Sequence, residues 1–194
     1  MKNISSIFIL GWVLLTACSS ARQAASVTPS PQPTIQPTAL PTPSALGSSI
    51  TWSHLQVTIY QLEITQDYTT DYGSSRIPTE GNKFLWVHVR LKNTGQIEMG
   101  LPLAEHFSIL YAAIELKPTY GHRAGYIDYT TLGPAIFPDQ ELDGWLRFDI
   151  PTAAELQDLR FVFLPESSQV GASYNSPNYP YAGDKPTYVW NCDR

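Results

Sequence analysis

The run from Phe84 to Gly95 constrains the fold of this chain more than any other stretch. Apolar residues fill every second position and alternate with more polar ones, Leu85, Val87, Val89 and Leu91 against Trp86, His88, Arg90 and Lys92. Side chains of a β-strand point alternately to its two faces, so the pattern predicts a strand with one buried and one solvated face. Asn93-Thr94-Gly95 tolerate turn geometry and end the strand. An antiparallel sheet with one face in water follows.

Further apolar runs predict strands at residues 55–64, 107–111, 114–116, 142–150, 159–164 and 187–190. Residues 126–132 have little apolar content but are rich in Tyr and Thr, which predicts another strand. In the run 55–64 the apolar positions change phase after Ile59, which predicts a bulge near Tyr60 and Gln61. Residues 67–81 are polar and predict a long loop, and residues 152–158 predict a helix of about two turns. Seven or eight short strands separated by turn residues indicate an all-β antiparallel sandwich.

The amino terminus has the features of an export signal. Lys2 precedes an apolar run over residues 7–15, which has the length of a secretory signal and is too short to cross a bilayer. Leu15-Thr16-Ala17-Cys18 resembles the lipobox of bacterial lipoproteins. That resemblance implies a signal peptide of residues 1–17, acyl chains on Cys18 and stable anchoring to the extracytoplasmic side of a membrane. The alternative is an ordinary cleaved signal peptide that happens to contain Cys18.

Residues 18–48 form a linker that is rich in Pro, Ser and Thr. Proline removes backbone donors and fixes φ, so a disordered, polyproline-like tether is predicted. A proline-rich ligand for another module is the alternative. The domain then spans residues 49–194. Lys2 and Arg22 are the only charged residues before it, so it retains ten basic against 17 acidic residues and a net charge of −7. Such an acidic domain is not expected to bind nucleic acid.

Three segments carry a family resemblance: Gly81-x-x-Phe84-Leu85-x-Val87-x-Val89-x-Leu91-x-Asn93-x-Gly95, Phe107-x-Ile109, and Pro138-Asp139-x-Glu141-x-x-Gly144-Trp145-Leu146-x-Phe148-x-Ile150-Pro151. Over residues 50–165 the chain resembles the immunoglobulin-like extracytoplasmic family known as domain of unknown function 4352. The resemblance implies an immunoglobulin-like β-sandwich in a secreted or lipid-anchored bacterial protein, and it implies no activity. The chain departs from the family pattern at Ala112-Ala113, where an Asp-Gly turn is usual, and beyond Pro165.

The sequence contains only weak indications of a metal site or a catalytic site. Asp139, Glu141 and Asp143 precede Gly144 with the spacing that opens a calcium loop, but Ile150 stands where the bidentate glutamate is needed. The histidines are scattered and no zinc, nucleophile or phosphate-binding motif occurs. We therefore expect no cofactor and no enzyme. A hydrolase that uses His88 with the acids near Asp143 is the alternative.

The solvated strand faces supply a candidate binding surface of aromatic and cationic side chains, Trp86, His88, Arg90, Trp145 and Arg147. Aromatic and arginine side chains dominate binding hot spots, so an envelope protein or glycan is the expected ligand if the two strands are neighbours. The alternative is that Trp86 and Trp145 pack against each other, or under the tail, and serve stability only.

Two features follow the last predicted core strands. The segment 174–183 is rich in Tyr and Pro and is interpreted either as a binding loop or as a strap over the sandwich edge. Once Cys18 is lipidated, Cys192 remains either as a free thiol or as a disulfide link to a second copy. Together these features predict a lipid-anchored, non-enzymatic binding module, with an accessory or assembly lipoprotein as the alternative.

Overall fold

The computed structural model describes residues 40–165 and 187–193, in which all regular structure is strand or short 3₁₀ turn. In chain order the strands are β1 (Ser49–Trp52), β2 (Leu55–Thr65), β3 (Tyr68–Thr69), β4 (Ser75–Arg76), β5 (Asn82–Asn93), β6 (Met99–Gly100), β7 (Phe107–Tyr111), β8 (Ile114–Leu116), β9 (Ala135–Ile136), β10 (Glu141–Pro151), β11 (Leu159–Phe163) and β12 (Tyr188–Asn191). The 3₁₀ turns are Ala104–His106, Tyr129–Thr131 and Leu156–Asp158.

Eight of these strands build two four-stranded antiparallel sheets. The first sheet has the order β1-β2-β5-β10 and the second the order β12-β11-β7-β8. The pairs β3-β4 and β6-β9 are short additional ladders. Residues from both sheets join in one apolar cluster, which makes the fold a sandwich with its core between the sheets. The predicted immunoglobulin-like β-sandwich is confirmed.

The core contains the predicted inner face of β5. Leu85, Val87, Val89 and Leu91 are all fully buried. From the other sheet, β7 and β11 contribute large aromatic side chains to the same cluster, Phe107, Phe161 and Phe163. Close packing of such side chains is the main stabilising term of a domain of this size.

The predicted bulge in β2 is present. The register of β2 against β5 shifts between Ile59 and Gln61, so one extra residue stands opposite the partner strand. The extra residue is Tyr60, which is 54% exposed, and β2 pairs with β5 both before and after it.

The end of β5 is fixed by Asn93, as the turn residues predict. The fully buried Asn93 side chain donates from Nδ2 to the carbonyls of Ile97 (2.7 Å) and Ile136 (3.1 Å), and its Oδ1 accepts from the Gly95 amide (2.8 Å). A Cβ at Gly95 would lie 2.9 Å from Cβ of His54, so the close approach requires glycine.

Three local predictions are wrong. Residues 126–132 form no strand: the Asp128 side chain accepts from the Thr130 amide and caps the 3₁₀ turn Tyr129–Thr131, because short polar side chains compete with sheet pairing. The helix expected at 152–158 is only the 3₁₀ turn Leu156–Asp158, and the loop expected at 67–81 contains the β3-β4 hairpin.

The structure describes the predicted linker only from residue 40 onwards. Cys18, the first part of the linker and the segment 174–183 lie outside the described residues. The last linker residues contact the domain, since Ser44 forms a parallel bridge with Trp190 and its amide donates to the Val189 carbonyl (2.7 Å). Backbone pairing with the sandwich thus begins before residue 49.

Candidate interaction surface

The candidate binding residues all lie on the outer face of the first sheet. The β5-β10 register places His88 opposite Trp145, Trp86 opposite Arg147, and Arg90 opposite Asp143. The strands are therefore neighbours, which was the condition for a common surface.

Trp86 does not take part in an exposed surface, which corrects the prediction of a solvated outer face at this point. The side chain is 1% exposed, and Tyr68 and Tyr126 pack edge-on against it with ring centroids at 5.0 and 5.6 Å. The guanidinium of Arg123 lies 5.5 Å from the ring centroid. The cover comes from the β3-β4 hairpin and from residues 119–131, so this part of the sheet has apolar layers on both faces.

Trp145 is half-buried and committed to intramolecular stacking. The His88 ring lies parallel to it at 4.6 Å, and the Tyr126 ring stacks on it at 4.1 Å. Trp86 and Trp145 thus pack into one assembly through Tyr126, although the sequence suggested direct contact. An indole with two stacked neighbours offers little free ring face for a ligand to stack on.

Arg147 is also held by the domain. Its Nη1 donates to the Tyr68 hydroxyl (2.8 Å) and its Nε donates to Oγ1 of Thr119 (3.0 Å). The guanidinium lies 5.0 Å from the Phe84 ring centroid, and Nη2 lies 3.8 Å from Oδ2 of Asp149. The guanidinium of Arg147 is therefore bound by other side chains of the domain.

A network that sequence reasoning missed fixes residues 119–131, which we call the covering segment. Arg123 donates from Nη2 to Oε1 of Glu63 (2.8 Å), and the Tyr126 hydroxyl donates to Oε2 of the same carboxylate. The hydrogen bond from Arg123 lowers the pKa of Glu63, while burial and the bond to Glu63 raise the pKa of Tyr126 to about 12. The aromatic residues at outer positions of β5, Phe84 and Trp86, were the available signal that this face has a cover.

The open part of the face is the Tyr60–Arg90 surface, which we define as Tyr60, His88, Arg90, Glu141 and Asp143. The Arg90 guanidinium lies 4.7 Å from the Tyr60 ring centroid. Its Nε donates to Oδ1 of Asp143 (2.9 Å) and lies 3.2 Å from Oε1 of Glu141. Both carboxylates hold the guanidinium in place, and the hydrogen bond to Asp143 raises the pKa of Arg90.

His88 lies at the boundary between the covered and open parts. Its Nε2 is 3.2 Å from Oδ1 of Asp143, and its ring meets Tyr60 edge-on at 5.7 Å. Burial lowers the pKa of His88 and the charge of Arg90 adds to this effect, while Asp143 opposes it. Nδ1 is buried without a hydrogen-bond partner in the described part of the chain.

The calcium candidates are not arranged as one site. Asp139 occupies a turn with φ of 59°, whereas Glu141 and Asp143 project from β10 towards Arg90. The guanidinium thus stands where a cation would bind these two carboxylates. Residues 40–165 and 187–193 contain no group of three or more His, Cys, Asp or Glu side chains that could hold a metal ion.

Of the two alternatives for Cys192, a free thiol or a disulfide link to a second copy, the second would require the side chain to become accessible. The side chain is 1% exposed and belongs to the core cluster. Burial raises the pKa of its thiol to about 12, so the reactive thiolate is scarce at neutral pH.

The family model described as Domain of unknown function (DUF4352) matches residues 44–166. The chain belongs to the DUF4352 family. No curated protein sequence matches it significantly.

Two solved structures of low sequence identity, with TM-scores above 0.5, share this fold. The yjhA protein from Bacillus subtilis is 16% identical, with 76% of this chain and 97% of that chain covered and a TM-score of 0.56. A functionally unknown protein from Listeria monocytogenes EGD-e is 12% identical, with 75% and 82% covered and a TM-score of 0.51. The ycdA protein from Bacillus subtilis, a candidate lipoprotein, is 18% identical, with 74% of this chain but only 38% of that chain covered and a TM-score of 0.47.

The described residues contain no helix that is long and apolar enough to cross a membrane.

Proposed function

We propose that this DUF4352 protein is an extracytoplasmic, lipid-anchored and non-enzymatic interaction module that binds a protein partner through the Tyr60–Arg90 surface. The observation that carries the proposal is the exposed Tyr60 ring, which the β2 bulge pushes out of the sheet and the Arg90 guanidinium holds from one side. Tyr and Arg are the residue types enriched at hot spots of protein interfaces.

The surface is ordered before a partner arrives. Arg90 is fixed by Asp143 and Glu141, and Asp143 also lies beside His88. Long side chains lose about 0.5–1.5 kcal/mol each when an interface orders them, so a prearranged arginine avoids part of that loss. The surface also carries both signs of charge, which favours a protein partner of complementary pattern.

A protein is favoured over a glycan because the tryptophans are occupied. Trp86 is buried and Trp145 stacks on His88 and Tyr126. The remaining exposed aromatic ring of the Tyr60–Arg90 surface is Tyr60, and its contact with Arg90 leaves it suited to a packed protein interface.

The proposed lipid-anchored location is inferred from the amino-terminal sequence. The lipobox resemblance at Leu15-Thr16-Ala17-Cys18 supports acylation of Cys18, and the Pro-rich segment supports a spacer between lipid and domain. In detergent phase partitioning we expect the wild-type chain to enter the detergent phase and Cys18→Ser to stay in the aqueous phase. Equal partitioning of the two chains would refute the anchor.

The binding proposal is tested with the full chain, tagged after Arg194 and expressed in the bacterium that encodes it. Envelope proteins are solubilised, captured on the tag and quantified for wild type, Tyr60→Ala and Tyr72→Ala. Tyr72 is the matched control because it is 90% exposed and lies outside the Tyr60–Arg90 surface.

We expect recovery of a specific partner to fall at least about tenfold with Tyr60→Ala, since loss of a hot-spot side chain removes roughly 2 kcal/mol or more. Recovery with Tyr72→Ala should equal that of wild type. Equal recovery with both variants, or no protein enriched by the wild-type chain, would refute the proposal.

A further inference from the structure

A depression of about 100 Å³ lies beside the edge of β10 that does not pair with β5. Its walls include side chains from β10 and from the covering segment, among them Thr119, Tyr120, Asp128, Thr130, Trp145 and Arg147. The covering segment reaches this edge through two isolated bridges, Thr119 with Arg147 and Asp128 with Trp145. Drug-sized ligands occupy pockets of about 300 Å³ or more, so this depression suits the end of one side chain.

A buried carboxylate lines the depression. The Asp128 side chain is 6% exposed, and its Oδ1 accepts from the amide (2.8 Å) and Oγ1 (2.7 Å) of Thr130. Its Oδ2 lies 3.7 Å from Nδ1 of His122, beyond ordinary hydrogen-bond distance. A carboxylate can accept about four hydrogen bonds, so Asp128 retains acceptor capacity on the oxygen that Thr130 does not use.

The surrounding groups favour a cation. Tyr120, which lines the depression, is 69% exposed and meets His122 edge-on at 4.7 Å, so part of its ring is open to solvent. The charge of Arg147 is balanced within the fold by Asp149, and two of its donors are used by Thr119 and Tyr68. An ammonium group can therefore approach Asp128 past Arg147 without meeting an unpaired positive charge, and it would compete with the His122 imidazole for Oδ2 of Asp128.

We propose that this depression binds the ammonium group of a lysine side chain of a protein partner, with Asp128 as its counterion and Tyr120 against the aliphatic stem. The inference deepens the proposed function, because it supplies the chemistry of a second contact for a protein partner. The net charge of −7 on residues 49–194 also favours a partner that presents basic groups. A charged hydrogen bond in a desolvated site is the kind of contact that fixes orientation as well as affinity.

The experiment uses the full chain and needs no identified partner. N-acetyl-lysine-N-methylamide is titrated into isotope-labelled protein, and amide and aromatic NMR signals are followed. The norleucine analogue, which lacks the ammonium group, is the matched ligand control. Asp128→Asn is the test variant, because asparagine also caps a turn and preserves the local fold. Asp158→Asn makes the same charge change in the exposed β10-β11 connection and is the matched protein control.

We expect the lysine probe to shift signals of Tyr120, His122 and Trp145 with millimolar affinity, and the norleucine probe to leave them unchanged. Asp128→Asn should weaken binding about tenfold, the scale of a lost charged hydrogen bond, while Asp158→Asn should bind as wild type. If Asp128→Asn fails to fold, Tyr120→Ala replaces it, since that exposed side chain is dispensable for folding and its loss should also weaken binding.

Equal responses to both probes, shifts that map away from the depression, or undiminished binding by the variants would overturn the inference. Failure here leaves the Tyr60→Ala comparison unaffected, because that comparison involves neither Asp128 nor a lysine probe. Conversely, a loss of partner recovery with Tyr60→Ala gives no information on the depression, so the two proposals fail separately.

Discussion

The turn between β7 and β8 is strained, and relieving it should stabilise the protein. Tyr111 pairs with Ile114, so Ala112 and Ala113 alone form the connection. Both have positive φ, 46° and 66°. A two-residue hairpin loop with positive φ at both positions is the type that favours Asn-Gly or Asp-Gly. Alanine has a Cβ that conflicts with this conformation, at a cost of roughly 1–2 kcal/mol per residue.

The gain from Ala112→Asn with Ala113→Gly follows from that strain. Asparagine tolerates the left-handed region and glycine adopts it freely, so about 2–3 kcal/mol of the roughly 2–4 kcal/mol for the pair is recovered. Glycine also increases the entropy of the unfolded chain, which reduces this gain in stability by about 0.5–1 kcal/mol. The net expectation is about 1–2 kcal/mol in the free energy of unfolding, or about 3–6 °C in Tm for a chain of this length.

Urea denaturation followed by tryptophan fluorescence measures this difference, with the slope m as a check that the unfolded state is unchanged. Ala153→Gly is the matched control, because that exposed residue has no positive φ and should lose stability when replaced by glycine. An Asn-Gly variant that is no more stable than wild type, at equal m, would refute the strain argument.

Three further predictions concern the core thiol, the carboxylate bound by Arg123 and a closely packed glycine. Cys192 should react with a thiol reagent at pH 8 only as fast as the domain opens, so urea should accelerate its labelling many-fold. Glu63→Gln should destabilise the protein near pH 7, because the hydrogen bond from Arg123 lowers the pKa of Glu63. The difference in unfolding free energy between wild type and this variant should shrink as the pH falls below 4.5 and the wild-type carboxylate becomes protonated. Gly144→Ala should cost about 1–3 kcal/mol in thermal denaturation, since its Cβ would lie 2.8 Å from Cα of Tyr129.

The features that the sequence predicts correctly are those that depend on the residues of one strand alone. The alternation from Leu85 to Leu91 determines which side chains face the core, because a shift by one residue would move every one of them to the outer face. The phase change after Ile59 predicts the bulge for the same reason. Asn93 and Gly95 mark the strand end because few residues suit that turn.

The cover over Trp86 could not be predicted from such a pattern. Residues 119–131 lack strand periodicity, and they reach the sheet through side chains and two single bridges. The contact of Tyr126 with Glu63 joins residues that are far apart in the chain. Only the presence of Phe84 and Trp86 at outer positions indicates that this half of the face is buried. His88 and Arg90 on the same face remain partly exposed.

Trp145 connects the two surfaces that we propose for binding. Its ring stacks on His88, which contacts Tyr60 and Asp143, and it also forms a wall of the depression that contains Asp128. Because the indole is held between His88 and Tyr126, neither surface can shift without disturbing a stacked pair. Trp145 therefore fixes the relative positions of an exposed tyrosine and a buried carboxylate, which a single partner of the proposed kind would have to match together.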